Sequence, residues 1–246
     1  RYRAKGINTM TDEGEFPRLL NAGADALMVQ FSDVISLPAN QQVIALQQLL
    51  QQSALPITDL VPAYSTLLIY YDVTQLSETV LRESVNDLLT ELIVDDTDEQ
   101  GQLHTVEVYY GDEVGADIQR VMQQHGLSKN DVIERHTAAP FRVFALGFAP
   151  GFGYMGILPH DLVTPRLQRP REKIPAGSVA IAEQQTSIYP VDSPGGWNII
   201  GRTATPLYQP EQGILSAFNV GDQVQFKAIS KAAFLEAGGS LEALND

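Results

Sequence analysis

The chain has 246 residues, no cysteine, 30 acidic and 16 basic side chains, and a formal net charge of −14, a length that allows one large domain or two modest ones. The charge argues against nucleic acid and anionic membrane surfaces as partners, because both are bound through Lys and Arg. The absence of cysteine excludes disulfides and thiol nucleophiles, and the absence of a long apolar run or a secretory signal leads us to expect a cytoplasmic protein.

The N-terminal part of the chain predicts a small α+β domain. The apolar run Ala26–Phe31 predicts a strand, and apolar residues at helical spacing predict a helix over Pro38–Gln52. Two extended segments are predicted within Ile57–Tyr71, followed by a second helix. Ser77 can cap that helix, whose apolar stripe is expected to reach Leu92.

An acidic segment without apolar residues, Asp95–Gly101, follows these elements. We place a domain boundary there, which predicts one domain over residues 1–97 and a second over residues 98–246. Residues 1–10 show no periodicity, and we expect them to be a poorly ordered leader or an added remnant.

The second domain is predicted to be mainly β, with two helices near its start. The first helix, Ala116–His125, is ended by Gly126, and the second is capped by Ser128 with Asp131 three residues later. The pair resembles a helix-turn-helix, but its second helix lacks a basic face, which argues against DNA recognition. Short strands between Gly and Pro turns indicate a closed or nearly closed barrel. The expected strands and the last helix are Val106–Tyr110, Phe141–Gly147, Ser178–Ala182, Thr186–Tyr189, Trp197–Thr203, Asp222–Ala228 and the helix Ser230–Ala237.

Several familiar catalytic and binding motifs are absent or incomplete. Gly151–Gly156 has the glycine spacing of a dinucleotide fingerprint, but no helical pattern follows it, so we reject that interpretation. No Walker-type phosphate loop and no Gly-x-Ser-x-Gly elbow occur. Ser178 lies in a predicted strand without an identifiable base, which argues against a nucleophile. The four histidines are far apart and show no metal-ligand spacing, so no metal site is predicted.

Loops between Pro140 and Pro210 carry most of the functional information. Ten of the chain's 14 prolines lie there, mixed with glycine, aromatic residues and arginine. Loops of this kind on a rigid frame often meet ligands, whereas a barrel could use the same residues for turns alone. Five aromatic side chains could likewise line a pocket or form the barrel core: Phe148, Phe152, Tyr154, Tyr189 and Trp197.

Charged residues of this region suggest an anion site. Four arginines occur here in an otherwise acidic chain, and guanidinium groups bind carboxylates and phosphates through paired donors. The alternative is that they pair with nearby carboxylates. His136, at the end of a predicted helix, could act as a general acid or base or could cap the helix. The arginines are Arg166, Arg169, Arg171 and Arg202, and the carboxylates are Asp161, Glu172, Glu183 and Asp192.

Taken together, these residues resemble the family of the 5-oxoprolinase B-type subunits, which also carries the names allophanate hydrolase subunit 1 and Kip-type inhibitor of a histidine kinase. The resemblance is specific because it rests on a set of motifs rather than on one. The motifs are Gly147–Tyr154, Thr164–Arg166, Pro170-Arg171, Pro175–Val179, Gln185-Thr186, Tyr189-Pro190 and Ser193–Thr203.

The resemblance implies a ferredoxin-like N-terminal domain and a cyclophilin-like β-barrel domain. It also implies a subunit that is not active alone. Its partners would be a homologous C-type subunit, similar to allophanate hydrolase subunit 2, and a third subunit, and the complex would open 5-oxoproline to glutamate with ATP as co-substrate. The same resemblance leaves two alternatives open, a non-catalytic inhibitor that binds a histidine kinase and an allophanate hydrolase or urea carboxyltransferase-type subunit.

The chemistry of lactam opening assigns roles to the residues of these motifs. Charge develops on the carbonyl oxygen, and arginine or backbone N–H groups can stabilise it, while a histidine or tyrosine can move protons. We expect the catalytic residues to be His136, Tyr154, Arg166 and Arg202. The expected substrate-binding residues are Phe148, Pro150, Gly151, Phe152, Arg171, Pro175, Gly177, Ser178, Gln185, Tyr189, Ser193, Gly195, Gly196 and Trp197.

Overall fold

The computed structural model describes residues 16–92 and 101–244. The chain divides into two compact units, of which the first ends at Ile93 and the second takes the rest of the chain together with Pro62–Tyr64. The boundary predicted after residue 97 and the expected leader at residues 1–10 both lie outside the described residues.

The first unit combines four strands with two helices. Its strands are neighbours in the order β1, β2, β4, β3. In β4 the side chains alternate between buried and half-buried, so Leu67, Ile69 and Tyr71 face the core. The elements are β1 (Arg18–Asn21), β2 (Ala26–Gln30), α1 (Leu37–Gln52), β3 (Ile57–Ala63), β4 (Thr66–Tyr71) and α2 (Glu78–Thr90).

The helices of this unit begin where the sequence predicts. The Ser36 hydroxyl accepts a hydrogen bond from the backbone N–H of Ala39, and the Ser77 hydroxyl accepts one from Val80. Both predicted helices and the strands β2 and β4 are therefore confirmed. Strand β1 was not predicted, and Leu92 lies beyond the end of α2.

The second unit is mainly β. Helix α3 ends at Gly126, whose φ of 65° is left-handed, and α4 begins with the predicted capping box of Ser128 and Asp131. The elements are β5 (Leu103–Val108), α3 (Ile118–His125), α4 (Lys129–Thr137), β6 (Phe141–Leu146), β7 (Gly153–Gly156), β8 (Arg171–Ile174), β9 (Ser178–Ala182), β10 (Gln185–Ile188), β11 (Ser193–Gly195), β12 (Asn198–Arg202), β13 (Gln223–Ala228) and α5 (Lys231–Glu236).

The main sheet of the second unit closes on itself. Its strands follow the order β5, β13, β6, β7, β10, β9, β12, and all pairs are antiparallel except the parallel pair of β5 and β13. Tyr109, directly after β5, then exchanges two backbone hydrogen bonds of 2.8 and 2.9 Å with Arg202 at the end of β12. This pair joins the two edges of the sheet, as the barrel interpretation requires.

The core of this unit lies inside the closed sheet and beneath the helices. Val106, Phe141, Val179, Ile200 and Phe226 are all at most 4% exposed. A mainly β second unit is thus confirmed. The family names ferredoxin-like and cyclophilin-like remain predictions.

Three strands that the sequence did not predict, β7, β8 and β11, are only three or four residues long. Strand β7 contains Gly153–Gly156, so the glycine run builds a strand and not the helix that a dinucleotide fingerprint needs. Rejection of that motif is confirmed. No helix in the described part of the chain is both long and apolar enough to span a bilayer.

Candidate functional site

The five aromatic residues singled out in the sequence form one cluster around Phe152. The ring centroid of Phe152 lies 4.9 Å from Tyr154, 5.2 Å from Phe148, 5.4 Å from Tyr189 and 5.7 Å from Trp197. Most of these contacts are edge-to-face, the favoured geometry for aromatic pairs. Phe152, Tyr189 and Trp197 are buried, whereas 59% of Phe148 is exposed. The cluster therefore has a buried part, formed by Phe152, Tyr189 and Trp197, and an exposed rim at Phe148.

A tight loop before β7 presents the exposed rim. Phe148 has a φ of 72° and Gly151 a φ of 82°. The backbone N–H of Gly147 donates to the carbonyl of Phe152 at 3.1 Å, and the N–H of Phe152 donates to the carbonyl of Ala149 at 3.0 Å. A Cβ on Gly151 would lie 2.9 Å from the carbonyl oxygen of Leu207. Glycine is thus required here by conformation and by space.

Arg166 adds a cation to this cluster. Its guanidinium carbon lies 5.7 Å from the ring centroid of Trp197, within cation–π range. The side chain is exposed, and no carboxylate of the described residues lies within salt-bridge distance of it. Its charge is consequently available to a ligand at the aromatic rim.

Tyr64, which the sequence analysis did not single out, belongs to the same cluster. Its ring lies 6.1 Å from Tyr154 and 6.1 Å from Phe144, and Gln185 donates its side-chain amide to the Tyr64 hydroxyl. Tyr64 has a left-handed φ of 43°, which is uncommon for a non-glycine residue. Burial raises the pKa of its phenol. Backbone pairing with β6 holds this segment in the second unit, and no local sequence signal marks it.

Arg171 is committed to a structural ion pair. Its two terminal nitrogens donate to the two carboxylate oxygens of Asp117 at 2.7 and 3.1 Å, and both side chains are about nine-tenths buried. Pairing with a carboxylate was the alternative considered for the four arginines, although Asp117 was not among the carboxylates named there. Asp161 instead pairs with Arg135, and Asp192 pairs with Lys173.

Arg202 lines a cleft that Tyr189, a member of the aromatic cluster, also lines. Its Nη1 donates to the carbonyl oxygens of Ser240 at 3.0 Å and Glu242 at 2.7 Å. Burial lowers the pKa of this guanidinium. The cleft has a volume of about 260 Å³, and Gly177, Tyr189 and Arg202 are among the residues that line it.

His136 belongs neither to the aromatic cluster nor to the cleft at Arg202. It is fully buried, and its Nδ1 lies 2.8 Å from the Tyr110 hydroxyl while its Nε2 lies 2.9 Å from the Thr186 hydroxyl. The Thr186 hydroxyl donates its own proton to the carbonyl of Ala180, so Nε2–H donates to Thr186 and Nδ1 accepts from Tyr110. Burial lowers the pKa of His136 to about 3. These contacts favour the structural alternative over a general acid or base.

The remaining predicted residues shape the aromatic cluster and the cleft at Arg202. A Cβ on Gly195 would lie 2.1 Å from the Tyr189 hydroxyl, and the carbonyl of Gly196 accepts from the N–H of Leu167 at 2.7 Å, next to Arg166. Buried Ser193 donates to the carbonyl of Val191 at 3.0 Å. Pro150 is exposed in the loop before β7, and Pro175, Gly177 and Ser178 form the turn into β9 beside Arg202.

The aromatic cluster combines three kinds of side-chain group. Across residues 16–92 and 101–244, no three His, Asp or Glu side chains lie close enough together to hold a metal ion. The aromatic cluster supplies an apolar wall, one open cation and phenol hydroxyls. Such a surface suits a small, flat, anionic or carbonyl-bearing ligand.

Comparison with known proteins gives a consistent family. The model of the carboxyltransferase domain, subdomain C and D, matches residues 17–217. A Bacillus subtilis (strain 168) protein, named as the B subunit of 5-oxoprolinase, is 33% identical in an alignment 220 residues long that covers 85% of this chain and 91% of that protein. An Escherichia coli O157:H7 protein of the same name is 43% identical over 121 residues, which are 49% of this chain and 56% of that protein.

Solved structures show the same fold within longer chains. TTHA0988, crystallised in space group P212121, is 33% identical with a TM-score of 0.73, and the match covers 83% of this chain and 40% of that chain. Kluyveromyces lactis urea carboxylase is 18% identical with a TM-score of 0.66, and the match covers 89% of this chain and 22% of that chain. The chain thus spans well under half the length of these two structures, and the second likeness concerns the fold alone.

Proposed function

The chain belongs to the carboxyltransferase-domain family of subdomains C and D, and from this premise we propose that it is the B-type subunit of a 5-oxoprolinase complex. The B. subtilis relative carries that name and aligns with most of both chains. The observation on this chain that carries the proposal is the open guanidinium of Arg166 over the Trp197 ring, beside Tyr154 and Tyr64. An aromatic wall with one open cation fits a small planar lactam.

The proposed reaction opens the cyclic amide of 5-oxoproline: ATP and water are consumed, the C–N bond of the lactam breaks, and glutamate, ADP and phosphate are released. ATP, as co-substrate of the complex, supplies the activation of the lactam carbonyl, and no residue of this chain is assigned to hold it. Arg166 stabilises the charge that develops on the carbonyl oxygen, and the exposed Phe148 ring, backed by the buried Phe152 ring, contacts the ring of the substrate. The Tyr154 phenol, 4.9 Å from Phe152 by ring centroids, is the proposed proton carrier. His136 has no part in this step because it is buried away from the cluster.

We propose that the aromatic cluster is one half of a shared site. Its rim is open at Phe148 and Arg166, and a phosphate-activated lactam has to be shielded from bulk solvent while one water molecule attacks it. A homologous C-type subunit and a third subunit are the proposed partners that close it. The proposal also includes a ferredoxin-like fold for the first unit and a cyclophilin-like fold for the second.

Reconstitution tests this function. The chain is combined with the candidate C-type subunit and the third subunit, and ATP-dependent formation of glutamate from 5-oxoproline is measured with this chain present and omitted. We expect activity only in the complete mixture. Full activity without this chain contradicts the proposal. Recovery of a histidine kinase in place of the partner subunits supports the inhibitor alternative, and turnover of allophanate in place of 5-oxoproline supports the allophanate alternative.

A further inference from the structure

Two buried polar side chains of the second unit carry hydrogen-bonding atoms without partners. Arg202 is 1% exposed, and its Nε and Nη2 have no acceptor among the described residues. Ser178 is fully buried, and its hydroxyl has no partner there either. Buried polar groups are nearly always paired, and an unpaired donor on a charged group is costly. An arrangement of three such atoms therefore calls for a binding partner.

These atoms lie together on one face of the sheet. Arg202 in β12 and Ser178 in β9 are directly opposite each other in an antiparallel pair. Side chains of opposed residues point to the same face, with their Cβ atoms about 5 Å apart. The guanidinium and the hydroxyl are thus close enough to contact one small molecule.

The chemistry of the free atoms selects a carboxylate. Nε and Nη2 form one edge of the planar guanidinium, so their N–H bonds are parallel and match the two oxygens of a carboxylate. Nη1 is held in place by the carbonyls of Ser240 and Glu242, which fixes the orientation of that edge. No carboxylate of the described residues lies within salt-bridge distance of Arg202.

A small cleft lies beside Arg202 and beside Gly177, the chain neighbour of Ser178. Its volume of about 260 Å³ is slightly below the usual range for ligand sites, which begins at about 300 Å³. Arg202, Gly177 and Thr203 line it together with Tyr189, whose ring also packs against Phe152 of the aromatic cluster. One residue therefore joins the cleft to the aromatic site.

We propose that the Nε–Nη2 edge of Arg202 and the Ser178 hydroxyl form a carboxylate-binding subsite, which holds the carboxylate of the substrate. The identity of that substrate rests on the proposed function. The two arginines then have separate roles, with Arg202 on the carboxylate and Arg166 at the aromatic rim. Arg171, which is paired with Asp117, takes neither role.

Direct binding to the whole chain provides the test. The protein is labelled with ¹⁵N at arginine Nε, and the Arg202 resonance is assigned through Arg202→Lys. L-5-oxoproline is then added, with 2-pyrrolidinone, the same lactam without its carboxylate, as the control ligand. We expect a saturable change of the Arg202 Nε–H resonance with L-5-oxoproline and none with 2-pyrrolidinone. Equal changes with both ligands, or none with either, overturn the subsite.

Ser178→Ala keeps the test sound if Arg202→Lys fails to fold. The Ser178 hydroxyl has no partner to lose among the described residues, so the variant should be as stable as the parent protein. We expect its affinity for L-5-oxoproline to fall about tenfold, as for one lost hydrogen bond to a charged group. The matched control is Ser187→Ala, which removes a buried hydroxyl that donates to the carbonyl of Gly153 at 2.7 Å and should leave the affinity unchanged. Unchanged affinity in Ser178→Ala overturns the subsite.

The subsite and the proposed function can fail separately. If the reconstituted complex forms glutamate and its KM for 5-oxoproline is the same with Ser178→Ala, the function stands and the subsite is wrong. If the complex forms no glutamate but glutarate, a simple dicarboxylate, shifts the Arg202 Nε–H resonance in parent protein and not in Ser178→Ala, the subsite stands without the proposed substrate.

Discussion

Arg171 and Asp117 form a two-pronged ion pair in which Nη1 donates to Oδ2 at 2.7 Å and Nη2 donates to Oδ1 at 3.1 Å. Asp117 also accepts from the backbone N–H of Ile199 at 2.7 Å. This carboxylate therefore ties the strand β8 and the strand β12 to the start of α3. An arginine of a family motif is here a part of the frame that positions the loops.

Asp117→Asn should destabilise the protein by about 3 kcal/mol or more, because it leaves a buried guanidinium without its charge partner. Urea unfolding monitored by Trp197 fluorescence measures the change in free energy. The control is Lys227→Ala, which removes an exposed cross-strand pair with Glu107 and should cost less than about 1 kcal/mol. Equal losses in the two variants would show that the Arg171–Asp117 pair is not structural.

The buried imidazole of His136 should make the protein less stable in acid. Its pKa is about 3 in the folded protein and 6.5 in a model peptide, so the unfolded chain binds a proton first as the pH falls. The free energy of unfolding is then fully retained above about pH 7 and decreases towards pH 3 by up to about 1.4 kcal/mol per pH unit. Unfolding in urea at several pH values between these limits measures the slope.

Two variants isolate this contribution. His136→Gln should be less stable than the parent protein at neutral pH, and because it lacks the titrating ring its pH dependence should be flatter, so the difference narrows as the pH falls. Thr186→Val removes the hydroxyl next to Nε2 and keeps the titrating ring, so its slope should remain steep. If His136→Gln and the parent protein give the same slope, another group causes the acid sensitivity.

Gly177 should be far less tolerant of a side chain than Gly213. Both have left-handed φ values, 79° and 75°, but a Cβ on Gly177 would lie 2.3 Å from the carbonyl oxygen of Thr203, whereas Gly213 has no neighbour within 4 Å. Gly213→Ala should cost about 1 kcal/mol for its backbone conformation, and Gly177→Ala about 2 kcal/mol more for the overlap. Chemical denaturation compares them, and similar costs would mean that the turn into β9 readily rearranges.

Local signals in the sequence predicted most of the second unit's frame. The capping box of Ser128 and the glycine at position 126 fix α3 and α4 by contacts within a few residues. The longer strands are likewise marked by a local pattern, either alternating apolar and polar residues or a short apolar run. Strands of three or four residues, such as β7 and β11, carry too little pattern to be recognised.

Long-range contacts account for what the sequence analysis missed. Tyr64 reaches the aromatic cluster because Ala63 pairs with Ala145, and Arg171 finds Asp117 at a separation of 54 positions. Neither relationship has a local signature. Tyr154, Trp197 and Arg166, which come from three separate motifs, nevertheless lie in one cluster through their ring and cation–π contacts.

Arg166 should matter for turnover and not for stability, whereas its neighbour Arg169 should matter for neither. Both are exposed, but only Arg166 lies over the Trp197 ring. If Arg166 stabilises charge on the lactam oxygen, Arg166→Ala should lower kcat of the reconstituted complex by about 10²- to 10³-fold, and its free energy of unfolding should change by no more than about 0.5 kcal/mol. Arg166→Lys, which keeps a point charge but loses the planar fork, should retain part of the activity. Glutamate formation and urea unfolding of each variant are the two measurements, and equal activity of Arg166→Ala and Arg169→Ala would remove Arg166 from the site.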